Sequence, residues 1–157
     1  MNGAEDSQTK DTREYVTVTI GKQLFGLPID RVHDVFTPHN MTPVPLARNE
    51  IAGVLNLRGR IVTAIDMRRR LGIGPREGEQ TPMAVGVESR GESYGIIIDG
   101  VGEVLRLPVA GLEPVPANLD KAWSALATGI HRLDGHLLVV LDVNRVLELG
   151  DDAPMAA

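Results

Sequence analysis

Apolar and polar residues alternate along several short segments of the chain. Between Tyr15 and Ile20 the aliphatic residues occupy every second position, and Val85 and Val87 show the same spacing. A period of two places alternate side chains on opposite faces of a β-strand, so these segments are predicted to be strands with one buried face. Their β-branched residues also favour the pleated conformation.

Turn-forming residues separate the predicted strands and join them into hairpins. Gly21-Lys22 follows the first strand, and the polar stretch 88–92 precedes the apolar run 95–98. Asp134-Gly135 stands between two apolar segments, where both residues tolerate the positive φ of a tight hairpin turn. Arg58-Gly59 occupies an equivalent place in an earlier segment. The pattern therefore predicts an all-β protein.

Helices are predicted only as short pieces at the periphery. Asp66 and Asp142 are suitable N-caps, and Gly72 and Gly150 stand where helix C-termini need a flexible residue. Trp123 is expected to be a core residue, because it lies in an apolar, helix-like segment. The predicted helical segments are Met67–Leu71, Val143–Leu149, Arg48–Ile51 and Lys121–Leu126.

An internal repeat divides the chain into two related halves. The matching segments are 26–36 with 95–105, 43–45 with 114–116, and 53–71 with 129–147. Small sheets with aliphatic faces avoid exposed edges by closing into barrels, so two packed barrels are predicted. At one turn the repeat keeps the glycine but places Arg58 opposite Asp134. Because the turn does not need a guanidinium, Arg58 is either a partner contact or a solvated loop residue.

Composition narrows the class of protein. The chain has 157 residues, of which 43% are hydrophobic and 3% aromatic, as expected for one domain with an aliphatic core. The absence of cysteine excludes disulfides and thiolate chemistry. The longest aliphatic run, 137–141, is far too short to span a membrane, and the polar N-terminus carries no secretory signal, so a cytoplasmic location is expected. Residues 1–12 and 151–157 are expected to be disordered tails around a domain at 13–150.

Charge argues against nucleic-acid binding. The net charge is −5, and the only dense basic run, Arg68–Arg70, is predicted to be the exposed side of a short helix. Nucleic-acid binding needs a basic surface that neutralises several phosphates. A nucleic-acid partner is therefore not expected.

The residues that could carry chemistry do not form a recognisable active site. Six carboxylates recur at turn or cap positions of the repeat, which favours structural roles: Asp30, Asp34, Asp66, Asp99, Glu103 and Asp142. Four histidines lack the spacing of a helical zinc site: His33, His39, His131 and His136. No phosphate-binding loop or nucleophile elbow is found in the sequence. We expect no catalytic, metal or cofactor site, and a binding protein rather than an enzyme.

One motif resembles a known family. The segment 56–62, NLRGRIV, followed by 65–68, IDMR, is similar to the N-L-R-G-x-I-V-P-V-I-D-L-R pattern of CheW-like domains. Further segments match in order: Phe25-Gly26, Val32–Val35, Pro43–Pro45, Ile51–Val54, Gly95–Val101 and Leu141-Asp142. Two departures occur, since Thr63-Ala64 replaces a frequent Pro-Val and Asp34 a frequent Glu. The resemblance runs from about Glu14 to Leu149.

The resemblance implies a fold of two intertwined five-stranded SH3-like barrels with short peripheral helices. It also implies an adaptor of bacterial chemotaxis, recruited to membrane-associated arrays without inserting into the membrane. Its partners would be the cytoplasmic tip of a chemoreceptor, in a groove between the barrels, and the regulatory domain of the histidine kinase CheA, at the barrel ends. The receptor-binding residues carried over by position are Arg58, Val32, Asp34, Gly53, Leu57 and Gly59.

The length of the chain leaves no room for the kinase or receiver domains that accompany this domain in other proteins, so a stand-alone coupling protein is expected. The alternative is a small double-barrel module that binds a ligand or nucleic acid and has no signalling role.

Overall fold

The computed structural model describes residues 11–78 and 80–149, and about half of them lie in ten strands. The strands are β1 (Thr12–Ile20), β2 (Gln23–Pro28), β3 (Asp34–Phe36), β4 (Ile51–Leu57), β5 (Arg60–Asp66), β6 (Met83–Ser89), β7 (Glu92–Ile98), β8 (Gly100–Pro108), β9 (Ala127–Leu133) and β10 (His136–Leu141). The helices are α1 (Met67–Arg70), α2 (Lys121–Leu126) and α3 (Val143–Leu147). None of these helices is long and apolar enough to cross a membrane.

The predicted tails lie mostly outside the described residues. This applies to residues 1–10 and 151–157, and the proposed cap Gly150 is also outside the described residues. Thr12 is an exception, because it belongs to the predicted N-terminal tail but is the first residue of β1. Its backbone pairs with Pro108 of β8, so β1 begins within the predicted tail.

The two sheets exchange strands between the halves of the repeat. Barrel 1 has the strand order β8-β1-β2-β10-β9, and barrel 2 the order β3-β6-β7-β5-β4. Each barrel therefore combines the first two strands of one half with the last three strands of the other. This arrangement confirms the predicted pair of intertwined five-stranded barrels.

Strand pairing between the halves follows the same pattern in both barrels. β1 pairs antiparallel with β8, and β3 with β6, while β2 runs parallel to β10 and β5 to β7. Phe25 faces Val139 in one parallel pair, and Ile65 faces Ile96 in the other. Neither half can build a complete sheet by itself, since the backbone hydrogen bonds of its strands are completed by the other half.

One short bridge closes the ring of strands in each barrel. Thr42, downstream of β3, exchanges two backbone hydrogen bonds of 2.8 and 2.9 Å with Val54 of β4. Glu113, downstream of β8, exchanges the same two bonds with Ile130 of β9. A Cβ atom on Gly53 or Gly129 would lie 2.5 or 2.6 Å from a bridging carbonyl oxygen. The repeat keeps these two glycines because the chain segments approach too closely for a side chain.

The central strands bury both of their faces, because the described residues form four apolar clusters. One is shared between the barrels, two fill the individual barrels, and a small one joins Ile51, Ile65 and Leu149. In β7, Ile96 and Ile98 enter the shared cluster while Ile97 enters barrel 2. The prediction of one buried face for β1 is therefore wrong: Val18 joins the shared cluster, and Tyr15 is buried inside barrel 1.

The short helices mostly follow their predicted caps. The Asp66 carboxylate accepts hydrogen bonds from the Arg68 and Arg69 N–H groups of α1, and the Asp142 carboxylate accepts one from the Arg145 N–H group of α3. Helix α2 has its predicted bounds, whereas α1 ends at Arg70 and α3 at Leu147, one and two residues early. The segment Arg48–Ile51 is a single turn rather than a helix. Its last residue, Ile51, is the first residue of β4 and pairs with Ile65 of β5. Trp123 packs on Phe25, as expected for a core residue.

The arginines of α1 tie the two halves together. The Arg68 guanidinium donates two hydrogen bonds, of 2.9 and 2.6 Å, to the Asp99 carboxylate. Arg76 lies 2.9 Å from the same carboxylate, and the Gly21 N–H donates to it. Arg70 donates to three backbone carbonyls at the end of α3. Burial raises the pKa of Asp99, but the Arg68 and Gly21 hydrogen bonds and the neighbouring arginines outweigh it and hold the pKa below its ordinary value.

The prediction that Arg68–Arg70 form an exposed basic face is therefore wrong for Arg68 and Arg70, whereas Arg69 is exposed as predicted. Arg69 donates a hydrogen bond to the Asn49 carbonyl at the surface. Because all three guanidinium groups already have intramolecular partners, the run is a poor footprint for phosphates.

The exchanged strands predict that the two halves fold as one unit. Chemical denaturation of the whole domain should give a single transition, and a fragment ending at Pro82 should remain unfolded because its strands lack their partners. Mixing that fragment with residues 83–157 should restore the β-sheet circular dichroism signal. Cooperative unfolding of either fragment alone would contradict this prediction.

One buried histidine introduces acid sensitivity into barrel 1. His131 is 3% exposed, packs at 5.9 Å from the Tyr15 ring, and has no hydrogen-bond partner at Nε2. The repeat places Leu55 at the equivalent position. Burial lowers the pKa of His131, although the nearby Glu113 opposes this shift. Below pH 6.5, the ordinary pKa of the group, the unfolded chain takes up a proton that the folded state resists, so stability decreases as the pH falls.

His131→Leu should therefore stabilise the protein, and more so in acid. We expect a gain in the free energy of unfolding of about 1 kcal/mol at pH 5.5 and a smaller gain at pH 8, because an unsatisfied buried nitrogen is also removed. Urea denaturation at the two pH values measures the difference. His39→Gln, which replaces an exposed histidine, supplies the control. An equal effect of His131→Leu at both pH values would exclude a contribution from its titration.

Candidate binding site at the mouth of barrel 2

A pocket of about 250 Å³ opens at one end of barrel 2. All five strands of the barrel contribute to it, because the start of β3, the β4–β5 turn and the β6–β7 end meet there. The lining residues are His33, Asp34, Phe36, Leu57, Arg58, Arg60, Val62, Gly86, Val87, Glu88, Ser93 and Tyr94.

The floor of the pocket is apolar and the rim is charged. Phe36, Val62 and Val87 are buried side chains of the barrel and its shared core. Arg58 and Arg60 carry the positive charges of the rim, both on well-exposed side chains. Such a surface suits an apolar side chain surrounded by polar groups, which is a common anatomy of protein interfaces.

Arg58 adopts a backbone conformation that is unfavourable for its residue type. Its φ is 53° and that of Gly59 is 84°, so both central residues of the β4–β5 turn are left-handed. The Asn56 side chain accepts a 2.9 Å hydrogen bond from the Gly59 N–H and supports this turn. For a residue other than Gly, Asn or Asp, the left-handed region costs about 1 kcal/mol. Such strain often coincides with functional positions.

The equivalent turn of barrel 1 has a different backbone. Gly135 has a φ of 83°, but Asp134 is not among the residues with positive φ. Both residues of Asp134-Gly135 tolerate positive φ, but only the glycine adopts it. The two turns differ in conformation as well as in charge.

Asp34 holds the Arg58 guanidinium over the pocket. Arg58 Nη1 lies 3.2 Å from Asp34 Oδ2, and the side chains are 75% and 29% exposed, respectively. Asp34 faces Gly86 across the β3–β6 pair, and a Cβ atom at Gly86 would collide with its carboxylate. The glycine therefore creates the space that the carboxylate occupies.

A second ion pair lies on the same rim. Arg60 Nη1 is 3.8 Å from Glu88 Oε2 and donates a 3.4 Å hydrogen bond to Ser93 Oγ. Sequence reasoning did not identify Arg60, Glu88 or Tyr94 as site residues. Arg60 occupies the variable position of the N-L-R-G-x motif and Glu88 lies in a predicted turn, so only the barrel closure shows that they meet.

Three of the six predicted receptor-binding residues line the pocket. Asp34, Leu57 and Arg58 line the pocket, and Gly59 follows in the same turn. Val32 is half-buried against the shared core, and Gly53 lies at the closing bridge of barrel 2, so neither lines the pocket. This pocket is formed by barrel 2 alone, and binding in a groove between the barrels stays a prediction.

The described residues contain no cluster of three or more side chains suited to a metal ion. Asp66, Asp99 and Asp142 are occupied as helix caps or as an arginine partner. The chemistry that the pocket itself supports is recognition, through guanidinium donors around an apolar floor.

Fold and site together define a small β-barrel interaction domain. The sequence matches the CheW-like domain family over residues 14–150, and the chain belongs to this family. It is 28% identical over 135 residues to the chemotaxis protein CheW of Thermotoga maritima, covering 86% of this chain and 87% of that protein. Protein FrzA of Myxococcus xanthus is 32% identical over 119 residues, with coverages of 74% and 72%.

The fold is also similar to a solved structure of the family. The crystal structure of the scaffolding protein TtCheW from Thermoanaerobacter tengcongensis aligns with a TM-score of 0.80 and 29% sequence identity. The alignment covers 91% of this chain and 97% of that chain. The similarity therefore extends over both barrels.

The strained turn predicts that Arg58→Asn is more stable than Arg58→Ala. Both variants lose the guanidinium and its ion pair, but asparagine tolerates the left-handed conformation that alanine does not. The free energies of unfolding should differ by about 0.5–1 kcal/mol in urea denaturation. The same two substitutions at Asp134, which lacks a positive φ, should differ much less. Equal stability of the Arg58 variants would show that the turn is not strained.

Proposed function

We propose that this protein is a chemotaxis adaptor that couples chemoreceptors to the histidine kinase CheA and performs no catalysis itself. Membership of the CheW-like family supports the adaptor role, as do the similar chemotaxis and scaffolding proteins. The receptor would present its cytoplasmic tip, and the kinase its regulatory domain. The observation that carries the receptor assignment is Arg58, which is strained, exposed and held by Asp34 over an apolar pocket.

The geometry of Arg58 suits a contact rather than a stabilising pair. An ion pair as exposed as Arg58 with Asp34 contributes only about 0–1 kcal/mol to folding, which is no more than the cost of the left-handed backbone. Stability alone therefore gives no advantage to an arginine here. A planar guanidinium that is already oriented loses less entropy when it binds a partner.

The receptor assignment predicts different effects for the two equivalent turns. Arg58→Ala should weaken binding to a receptor tip fragment by about tenfold or more, because arginine is frequent among interface residues that cost about 2 kcal/mol on truncation. Asp134→Ala should leave receptor binding almost unchanged. Isothermal titration calorimetry gives the affinities, and thermal denaturation should show little change for either variant.

Three results would count against the proposal. If both variants bound receptor like the parent, Arg58 would be a solvated turn residue. Failure of the parent protein to bind either the receptor fragment or the kinase regulatory domain in pull-down experiments would exclude the adaptor role. Tight binding of nucleic acid or a small ligand instead would favour a module without a signalling role.

A further inference from the structure

Arg60 is a second exposed guanidinium on the rim of the barrel 2 pocket. We propose that Arg60 is a second receptor contact, that Glu88 positions it, and that the bound receptor segment presents two carboxylates beside an apolar side chain. This inference rests on the proposed function, because it takes the receptor as the occupant of the pocket.

The contacts of Arg60 orient its side chain but leave most of its hydrogen-bond donors without a partner. Its Nη1 lies 3.8 Å from Glu88 Oε2 and 3.4 Å from Ser93 Oγ, while the side chain remains 64% exposed. Glu88 is less exposed, at 38%. A loose and exposed pair of this kind contributes little to stability. Most of the five guanidinium donors therefore remain available to a partner.

The two ion pairs of the rim share one arrangement. In each pair the carboxylate is the more buried member and the guanidinium the more exposed one: Asp34 lies beneath Arg58, and Glu88 beneath Arg60. A partner that approaches the pocket consequently meets positive groups first. Carboxylates are the acceptors that match the planar fork of a guanidinium, since both of their oxygens can accept.

Spacing and pocket size define what the partner must present. Arg58 and Arg60 are two residues apart, so their Cα atoms are separated by no more than about 7 Å. The pocket between the rim groups has a volume of about 250 Å³ and a floor of Phe36, Val62 and Val87. A receptor segment that fits would insert an aliphatic or aromatic side chain and carry two carboxylates at a similar spacing.

Barrel 1 lacks this arrangement although it repeats the same strands. In the repeat alignment Arg60 corresponds to His136, and Arg58 corresponds to Asp134. Glu103 stands in the place of Asp34, so neither position equivalent to the two rim arginines carries an arginine. We therefore expect an acidic receptor segment to bind at barrel 2 and not at barrel 1.

The test compares Arg60 with a matched arginine in binding to a receptor tip fragment. Arg60→Gln should weaken binding by about fivefold and reduce its salt dependence, because one charge-assisted contact is lost. Arg132 in barrel 1 provides the control, since it is exposed and pairs with Glu113 at 2.9 Å. Arg132→Gln should leave the affinity within about twofold of the parent. Glu88→Gln should have a smaller effect than Arg60→Gln, and no additional effect in the double variant.

A charge exchange tests the two-carboxylate requirement directly. Arg60→Glu should bind poorly to the fragment, and replacing one acidic receptor residue by lysine should restore binding. A different acidic residue should restore the Arg58→Glu variant. The inference is wrong if one receptor position restores both variants, if no position restores Arg60→Glu, or if Arg60→Gln binds like the parent while Arg58→Ala is weakened. In that last case the proposed function stands, whereas unchanged binding of both Arg58→Ala and Arg60→Gln would remove the receptor site itself.

Discussion

The exchange of strands between the two halves is the constraint on which the rest of the structure depends. β2 runs beside β10 and β7 beside β5, so the centre of each barrel contains strands from both halves of the chain. Since these strands are covered by the shared cluster on one face and by their own barrel on the other, these three clusters form together. The runs 95–98 and 137–141 are apolar at nearly every position for this reason.

The charges of the protein serve two separate purposes. Those at Asp99 are largely buried and join α1, the β1–β2 turn and the segment between the halves around one carboxylate. Removing one partner of such a cluster leaves a buried charge uncompensated, so its members depend on each other. The charges at the barrel 2 mouth are exposed and contribute little to stability, which leaves them available for the partner contacts proposed above.

The two barrels share the residues that their backbone needs but differ at the turn that borders the barrel 2 pocket. The closing glycines, Gly53 and Gly129, and the helix-capping aspartates, Asp66 and Asp142, recur in both halves because both barrels need them for the backbone. The residue before the glycine of the turns that follow β4 and β9 does not share that requirement. It is a strained arginine in barrel 2 and an unstrained aspartate in barrel 1.

The sequence by itself determined the β class, the two halves, the hairpin turns and the caps of the short helices, because these depend on local periodicity and on the conformations of single residues. Tertiary structure decided which strands pair, since β-strand partners come from distant segments. Closure of barrel 2 brings Arg60 to Glu88, which local patterns do not show. Packing likewise decided the environment of the basic run Arg68–Arg70. Its charge density predicted an exposed face, but Arg68 pairs with Asp99, which lies 31 positions further along the chain.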